Sequence, residues 1–255
     1  HTGSRAPQAL TGQQPWSASV FELDEPNFQT PRAARVADIE GTIANFAAAA
    51  RRCAQAGFHG VELHAAHGYL LCQFLGTLTN TRDDAWGGSL DRRMRLLREV
   101  QAAVRAAVPD DFLVGVRLSP EVPAQGLVVD DALAVAQRLV EDGTDFVHAS
   151  LWDSWATPTT RPDLDVPHTT LWRQTLGADV PLMITGGLWT PAHAATILEQ
   201  GADMIGLARA AIPFADWPER ARDGGWDPAL PPFEPDQLRA AALSDTFVDY
   251  MRRWP

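Results

Sequence analysis

Short apolar runs alternate with helical patterns from about residue 33 to residue 207, and this alternation limits the fold more than any other feature of the chain. The apolar runs predict five strands, over residues 58–64, 112–118, 146–150, 180–184 and 204–207. Nearly continuous apolar runs are typical of parallel strands covered on both faces. The regular repeat favours an α/β fold of the (β/α)8 TIM-barrel type, with about five C-terminal β/α units in this chain. An open dinucleotide-binding sheet is less favoured, because no G-x-G-x-x-G follows any strand.

The predicted helices occupy the segments between these strands. They cover residues 33–56, 89–107, 130–141, 169–176 and 191–200, and a glycine follows three of them, as at many helix ends. A final helix is expected at about 236–252. We expect residues 1–255 to form one barrel domain, on which residues 213–255 pack as a C-terminal extension.

Five strands fall short of the eight that a closed barrel needs. The first 30 residues, rich in proline, are expected to form a loop that follows a strand. The upstream part of the barrel is therefore expected to be absent from this chain, or to come from another copy or a complementing chain. An open arc of five strands would expose two unpaired edges, which favours association.

Composition excludes several classes of function. The formal net charge of −11 gives no attraction to nucleic acid or to anionic lipid. All 21 cationic residues are arginine, so neither a Schiff-base lysine nor a P-loop lysine exists. No apolar run reaches the ~18 residues of a membrane span, and no signal peptide is visible, so we expect a cytoplasmic protein. Cys53 and Cys72 are expected to be buried, reduced thiols.

The strongest candidate for chemistry is the segment His64-Ala65-Ala66-His67-Gly68-Tyr69, at the carboxyl end of a predicted strand. In a (β/α) barrel that end carries the active site. Two imidazoles can direct two N–H donors at one oxygen and stabilise charge there, and the Tyr69 phenol can donate a proton nearby. A zinc site is the alternative for H-x-x-H, but its third ligand would have to come from scattered histidines, namely His148, His168 or His193.

Arg117 lies at the end of the next predicted strand, on the same face as Gly115. A buried guanidinium needs an anionic or strongly accepting partner. That partner is either a core carboxylate such as Glu62 or a ligand, and the spacing alone leaves both open.

Small residues follow the last two predicted strands. Gly186 and Gly187 end one of them, and Ala208 and Arg209 end the other. Such turns allow backbone amides to approach a phosphate, and arginine adds charge-assisted hydrogen bonds. The loops after the last two strands form the usual phosphate site of a barrel. Three tryptophans, Trp16, Trp152 and Trp155, are candidates for the mouth of the same site.

Two stretches resemble the signature of the Old Yellow Enzyme family of FMN-dependent ene-reductases. They are residues 57–71, GFHGVELHAAHGYLL, and residues 80–89, NTRDDAWGGS. Residues 116–119, VRLS, and the two late turns agree with the family in order and spacing. The resemblance covers most of the chain, and its block from the histidines to Ser89 is highly specific.

The resemblance implies an eight-stranded barrel that binds FMN, with NAD(P)H as co-substrate and an α,β-unsaturated carbonyl compound as the small-molecule substrate. His64 and His67 would hold the substrate carbonyl oxygen, and Tyr69 would donate a proton to the α-carbon. Arg117 would lie against the flavin N1/C2-oxygen edge. The phosphate would be bound by Gly186, Gly187, Ala208 and Arg209.

The chain departs from the family pattern at several positions. Trp86 replaces the usual tyrosine, Arg92 a common asparagine, and Ala208 the usual glycine of the phosphate loop. Residues 1–5 match the H-x-G-R segment of the family only loosely. Alternative reactions are dienoyl reduction and oxidative demethylation, although two cysteines cannot hold an iron–sulfur cluster. A non-catalytic barrel fragment, dependent on another polypeptide to bind FMN, is the alternative from a different class.

Overall fold

The computed structural model describes residues 3–22, 29–222 and 224–251. Its main feature is a five-stranded parallel sheet in sequential order. A separate parallel pair, β1 (Trp16–Ser17) and β2 (Arg32–Ala33), precedes the sheet, whose strands are β3 (Gly60–Ala65), β4 (Leu113–Leu118), β5 (Phe146–Ser150), β6 (Leu182–Thr185) and β7 (Met204–Gly206). Sequential parallel strands with helical connections are the arrangement of consecutive (β/α) barrel units.

Helices connect the strands. The eleven α-helices of the described residues are α1 (Gln8–Thr11), α2 (Val36–Gln55), α3 (Leu70–Leu75), α4 (Leu90–Arg93), α5 (Arg95–Arg105), α6 (Val129–Glu141), α7 (His168–Leu176), α8 (Pro191–Glu199), α9 (Trp217–Arg222), α10 (Pro235–Ala240) and α11 (Asp245–Met251). Three short 3₁₀ helices cover Gly3–Arg5, Pro123–Gln125 and Arg209–Ala211. None of these helices is long and apolar enough to cross a membrane.

The two faces of the sheet differ in burial. In β4 the alternate residues Val114, Val116 and Leu118 are fully buried beneath the helices, whereas Leu113 on the opposite face is 48% exposed. That opposite face is the one that lines the interior of a barrel. It is therefore partly open in the described part of the chain.

Several predicted elements differ from the structure. Residues 1–30 were expected to form only a loop, but the described part contains α1 and β1. Tertiary hydrogen bonds to Gln73 hold β1, through Ser17, and the preceding 3₁₀ helix, through Ser4. The predicted helix 89–107 divides at Met94 into α4 and α5. The predicted helix 236–252 divides into α10 and α11 because Ala242 adopts a positive φ of 62°. Cys72 is buried as expected, but Cys53 is only half-buried.

Strand register brings the candidate residues together at the carboxyl ends. His64 of β3 pairs with Arg117 of β4, and Arg117 with His148 of β5. Ser150 of β5 pairs with Thr185 of β6. Because parallel strands end at the same edge, these side chains surround one region.

Candidate active site

A cavity of about 480 Å³ opens at the carboxyl ends of the strands. It is lined by residues from the ends of all five sheet strands or from the segments that follow them, including His67, Arg117, Ser150, Gly186 and Arg209. Gly187 and Ala208 also line it. The three groups of residues that the sequence singled out therefore meet at one site.

A tight turn after β3 carries the two histidines and Tyr69. His67 adopts a φ of 58°, in the left-handed region that non-glycine residues seldom occupy, and its N–H donates to Ser119 Oγ at 2.8 Å. The ring centroids of His64 and His67 are 5.0 Å apart, and the Tyr69 ring lies 5.4 Å from His64. Only His67 of the three lines the cavity itself.

Both imidazoles are held in the neutral form. Partial burial and, as the second cause, the Arg117 charge together lower the pKa of His67 to about 4. The same two causes, in the same order, lower the pKa of His64. A neutral imidazole carries one N–H donor, so at pH 7 the pair can offer two donors to an oxygen without carrying a charge.

Ser150 links the turn to Arg117. Its Oγ lies 2.7 Å from His67 Nε2 and accepts a hydrogen bond from Arg117 Nη2 at 3.0 Å. The Ser150 hydroxyl can donate to Nε2 or accept from it, according to the tautomer of the His67 ring, and in both cases the contact holds the ring beside Arg117. This serine was not singled out from the sequence, although it lies at the end of a strand, as Arg117 nearly does.

Glu62, the core carboxylate considered as a partner of Arg117, is bound to His148 instead. Glu62 Oε1 lies 2.7 Å from His148 Nδ1, and His148 Nε2 lies 2.6 Å from Thr185 Oγ1. Glu62 therefore acts on Arg117 only through its charge, which raises the pKa of the guanidinium against the larger lowering effect of burial. Arg117 Nε is buried and has no hydrogen-bond partner among the described residues.

The turn after β6 has two glycines, and the first of them leaves no room for a side chain. Gly186 has a φ of 149°, and a Cβ there would lie 2.7 Å from the Leu151 carbonyl oxygen. Gly187 has a φ of 64°, which favours glycine as well. Bare backbone thus faces the cavity next to Arg209, as the sequence-based phosphate hypothesis requires.

The histidines proposed as further zinc ligands are engaged elsewhere. His148 is bound to Glu62 and Thr185, His168 faces Glu121 at 3.7 Å, and the His193 ring packs on Trp155. Within residues 3–22, 29–222 and 224–251, no three His, Cys, Asp or Glu side chains are placed to hold a metal ion.

Some of the tryptophans line the cavity and others lie outside it. Trp152 lines the cavity, as does Trp189, which the sequence did not single out. Trp155 lies beside Gly187, at 3.5 Å from the position of a Cβ there. Trp16 instead packs under Arg32, away from the cavity.

The fold is similar to solved flavoenzymes. An Old Yellow Enzyme homologue from Zymomonas mobilis matches with a TM-score of 0.75 and 26% identity over 93% of this chain and 68% of its own. Morphinone reductase matches with a TM-score of 0.76 and 29% identity, covering 93% of this chain and 67% of its own. These matches confirm the prediction of a (β/α)8 barrel of which part lies in this chain.

Curated relatives are similar in sequence over most of this chain. NADH:fumarate oxidoreductase from Klebsiella pneumoniae is 35% identical over 227 residues, which is 86% of this chain and 24% of that protein. The probable NADH-dependent flavin oxidoreductase YqiG from Bacillus subtilis is 31% identical over 88% of this chain and 61% of its own length. The chain thus spans between about a quarter and three fifths of these two relatives.

A family model adds the decisive comparison. It is described as the NADH:flavin oxidoreductase / NADH oxidase family, and it matches residues 1–227, well over half of the chain. Together with the structural neighbours, it confirms the resemblance to Old Yellow Enzyme that the motifs indicated. The chain belongs to the NADH:flavin oxidoreductase / NADH oxidase family.

Proposed function

We propose that the chain carries the FMN and substrate site of an NAD(P)H-dependent flavin oxidoreductase that reduces the activated C=C bond of α,β-unsaturated carbonyl compounds. The observation that carries this proposal is the convergence of His67, Arg117, Gly186 and Arg209 on one cavity. Each comes from a different strand end, so the convergence depends on the fold and not on sequence proximity.

The residues present fit FMN on two structural grounds. Arg117 Nε is a buried donor that lacks a partner among the described residues, and burial of such a donor is unfavourable unless a ligand accepts from it. The turn presents backbone at Gly186, where a Cβ would clash, and at Gly187, whose positive φ favours glycine. Arg117 would hold the accepting edge of the flavin ring, and the two glycines, the Ala208 amide and Arg209 would hold the phosphate.

When bound, FMN supplies the transfer of a hydride from reduced nicotinamide to the β-carbon of the alkene. The neutral His64 and His67 donate to the substrate carbonyl oxygen and stabilise the charge that develops there. The Tyr69 phenol gives a proton to the α-carbon. Ser150 holds the His67 ring in position through its contact with Nε2.

The names of two relatives support a conjugated substrate. The Klebsiella pneumoniae relative is named for fumarate, and a Vibrio harveyi relative, 32% identical over 87% of this chain, is named for acrylate. Both compounds are α,β-unsaturated carboxylates. A ring pair that donates to a carbonyl-type oxygen fits this class as well as it fits an enone.

The proposal is tested by replacing both histidines. His64→Ala/His67→Ala should weaken the binding of a phenol or an enone to the FMN-loaded chain by about tenfold or more, because two hydrogen bonds are lost. FMN content should remain that of the wild type. His59→Ala, at the exposed amino-terminal side of β3, is the matched control. An unchanged ligand titration in the double variant contradicts the proposed roles.

A second candidate is a barrel fragment that binds FMN only together with another polypeptide or another copy. It is favoured by the sheet topology, since the outer edges of β3 and β7 have no strand partner among the described residues. The visible spectrum separates the two candidates. A purified 255-residue chain that takes up FMN in near-stoichiometric amount supports the enzyme site, and a chain that takes up none supports the fragment.

A further inference from the structure

The Arg209 guanidinium lies over two indole rings at the phosphate end of the cavity. Its central carbon is 5.2 Å from the ring centroid of Trp152 and 5.1 Å from that of Trp189. The three residues follow β5, β6 and β7, so three separate segments form this arrangement. A guanidinium over an indole face is attracted by the π-electrons of the ring.

This environment differs from that of most other arginines. Arg32, Arg161 and Arg173, for example, form ion pairs with aspartates at 2.5–2.9 Å. The Arg209 guanidinium has neither a carboxylate nor a hydrogen-bond partner within the described ranges. No carboxylate of the described residues neutralises its charge. Because ring faces attract the cation without accepting conventional hydrogen bonds, its N–H donors stay available for an anion.

We propose that Trp152 and Trp189 form an aromatic clamp that positions Arg209 for the phosphate of FMN, so that these two indoles determine the preference for FMN over riboflavin. The inference rests on the proposed flavin site and adds two positioning residues to it. An arginine fixed by aromatic rings is already ordered before the phosphate arrives, and less side-chain entropy is lost on binding. A neighbouring carboxylate would order it too, but would repel a phosphate dianion.

The clamp is tested on Trp152, which is 74% exposed and contributes little to the core. Affinities for FMN and for riboflavin are measured by quenching of flavin fluorescence with the 255-residue chain. Trp152→Ala should weaken the binding of FMN by about 3- to 30-fold, the range of an arginine–indole interaction. The binding of riboflavin should weaken by less than about twofold. Trp152→Phe retains a ring face and should recover most of the loss.

Trp226→Ala is the matched control. It removes another arginine–indole contact, with Arg220 at 5.6 Å, in the C-terminal segment and not at the cavity. FMN affinity should be unchanged in this variant. Trp189 is less suited to truncation, because its ring also packs on Phe233 at 5.9 Å; Trp189→Phe is the conservative substitution there.

A titration with inorganic phosphate, followed by tryptophan fluorescence, separates failure of the clamp from failure of the flavin site. A phosphate response that Trp152→Ala and Arg209→Ala both abolish supports the clamp, even if FMN does not bind and the flavin proposal falls. Equal losses of FMN and riboflavin affinity in Trp152→Ala overturn the clamp while the flavin site stands. Absence of any response to phosphate and to FMN in the wild type overturns both.

Discussion

At the scale of single residues, His67 makes folding depend on pH. Its pKa falls from 6.5 to about 4 on folding, so between these values the unfolded chain binds a proton that the folded chain does not. The free energy of unfolding should therefore decrease as the pH falls from 6.5 towards 4, and this contribution should be fully present above pH 6.5. Because His67 is partly exposed to the cavity, solvent screening makes the decrease smaller than the shift alone implies.

Urea unfolding from pH 4 to pH 7.5 checks this expectation. His67→Asn keeps a hydrogen-bond donor but cannot titrate, so its stability should fall less on acidification; His64, whose pKa is also lowered, accounts for part of the remaining decrease. NMR titration of the His67 ring provides the direct measurement. An apparent pKa at or above 6.5 would contradict the lowering effect of partial burial and of the Arg117 charge.

Some site residues could be foreseen individually and others could not. His67, Arg117 and Arg209 stand out because histidine and arginine at strand ends need polar partners that the core does not offer. Ser150 gives no such signal, since serine is common at strand ends. Its importance depends on lying within 3.0 Å of both Arg117 and His67, which follows from strand register and a left-handed turn.

At the scale of elements, the five sheet strands could be predicted to within two residues because each is a continuous apolar run. The breaks could not be predicted. Ala242 has a positive φ although alanine favours helix, so its own propensity does not predict the end of α10. The two-residue strand β1 has no periodicity to detect, and a hydrogen bond from Ser17 Oγ to Gln73 fixes it.

Gln73 shows how one buried side chain joins elements. It is fully buried, and its Nε2 donates to the Gly68 carbonyl at 2.6 Å and to Ser4 Oγ at 2.8 Å, while its Oε1 accepts from Ser17 Oγ at 2.6 Å. Gln73→Leu should lower the free energy of unfolding by about 2–4 kcal/mol, because several buried polar groups lose a partner. Ligand affinity should fall too, since Gly68 follows His67.

Urea unfolding and a ligand titration measure both effects. Gln101→Leu is the matched control. Gln101 is 2% exposed and lies in α5 outside the cavity, and its side chain makes one hydrogen bond among the described residues, to the Leu139 carbonyl. It should cost clearly less stability and leave ligand binding unchanged. Equal effects of the two substitutions would show that Gln73 has no special part in shaping the turn.

At the scale of the whole molecule, the two faces of the sheet differ in how far they are covered. Helices cover one face, and the other carries exposed or half-buried residues such as Leu113 and Met183. In addition, the outer edges of β3 and β7 lack strand partners in the described part of the chain. Unpaired edges and open apolar surface favour association with another chain.

Self-association through the open face should therefore respond to a charge placed on it. Leu113 is 48% exposed on that face, and Leu113→Lys replaces it with a cation. This substitution should weaken association of the 255-residue chain by about tenfold or more, because one buried leucine contributes about 1.5–3 kcal/mol. Leu198→Lys is the matched control, because Leu198 is 44% exposed but lies on α8, on the helical side. Sedimentation velocity over micromolar concentrations measures both. If the wild type is monomeric throughout, or if both variants dissociate equally, the open face is not the surface through which copies associate.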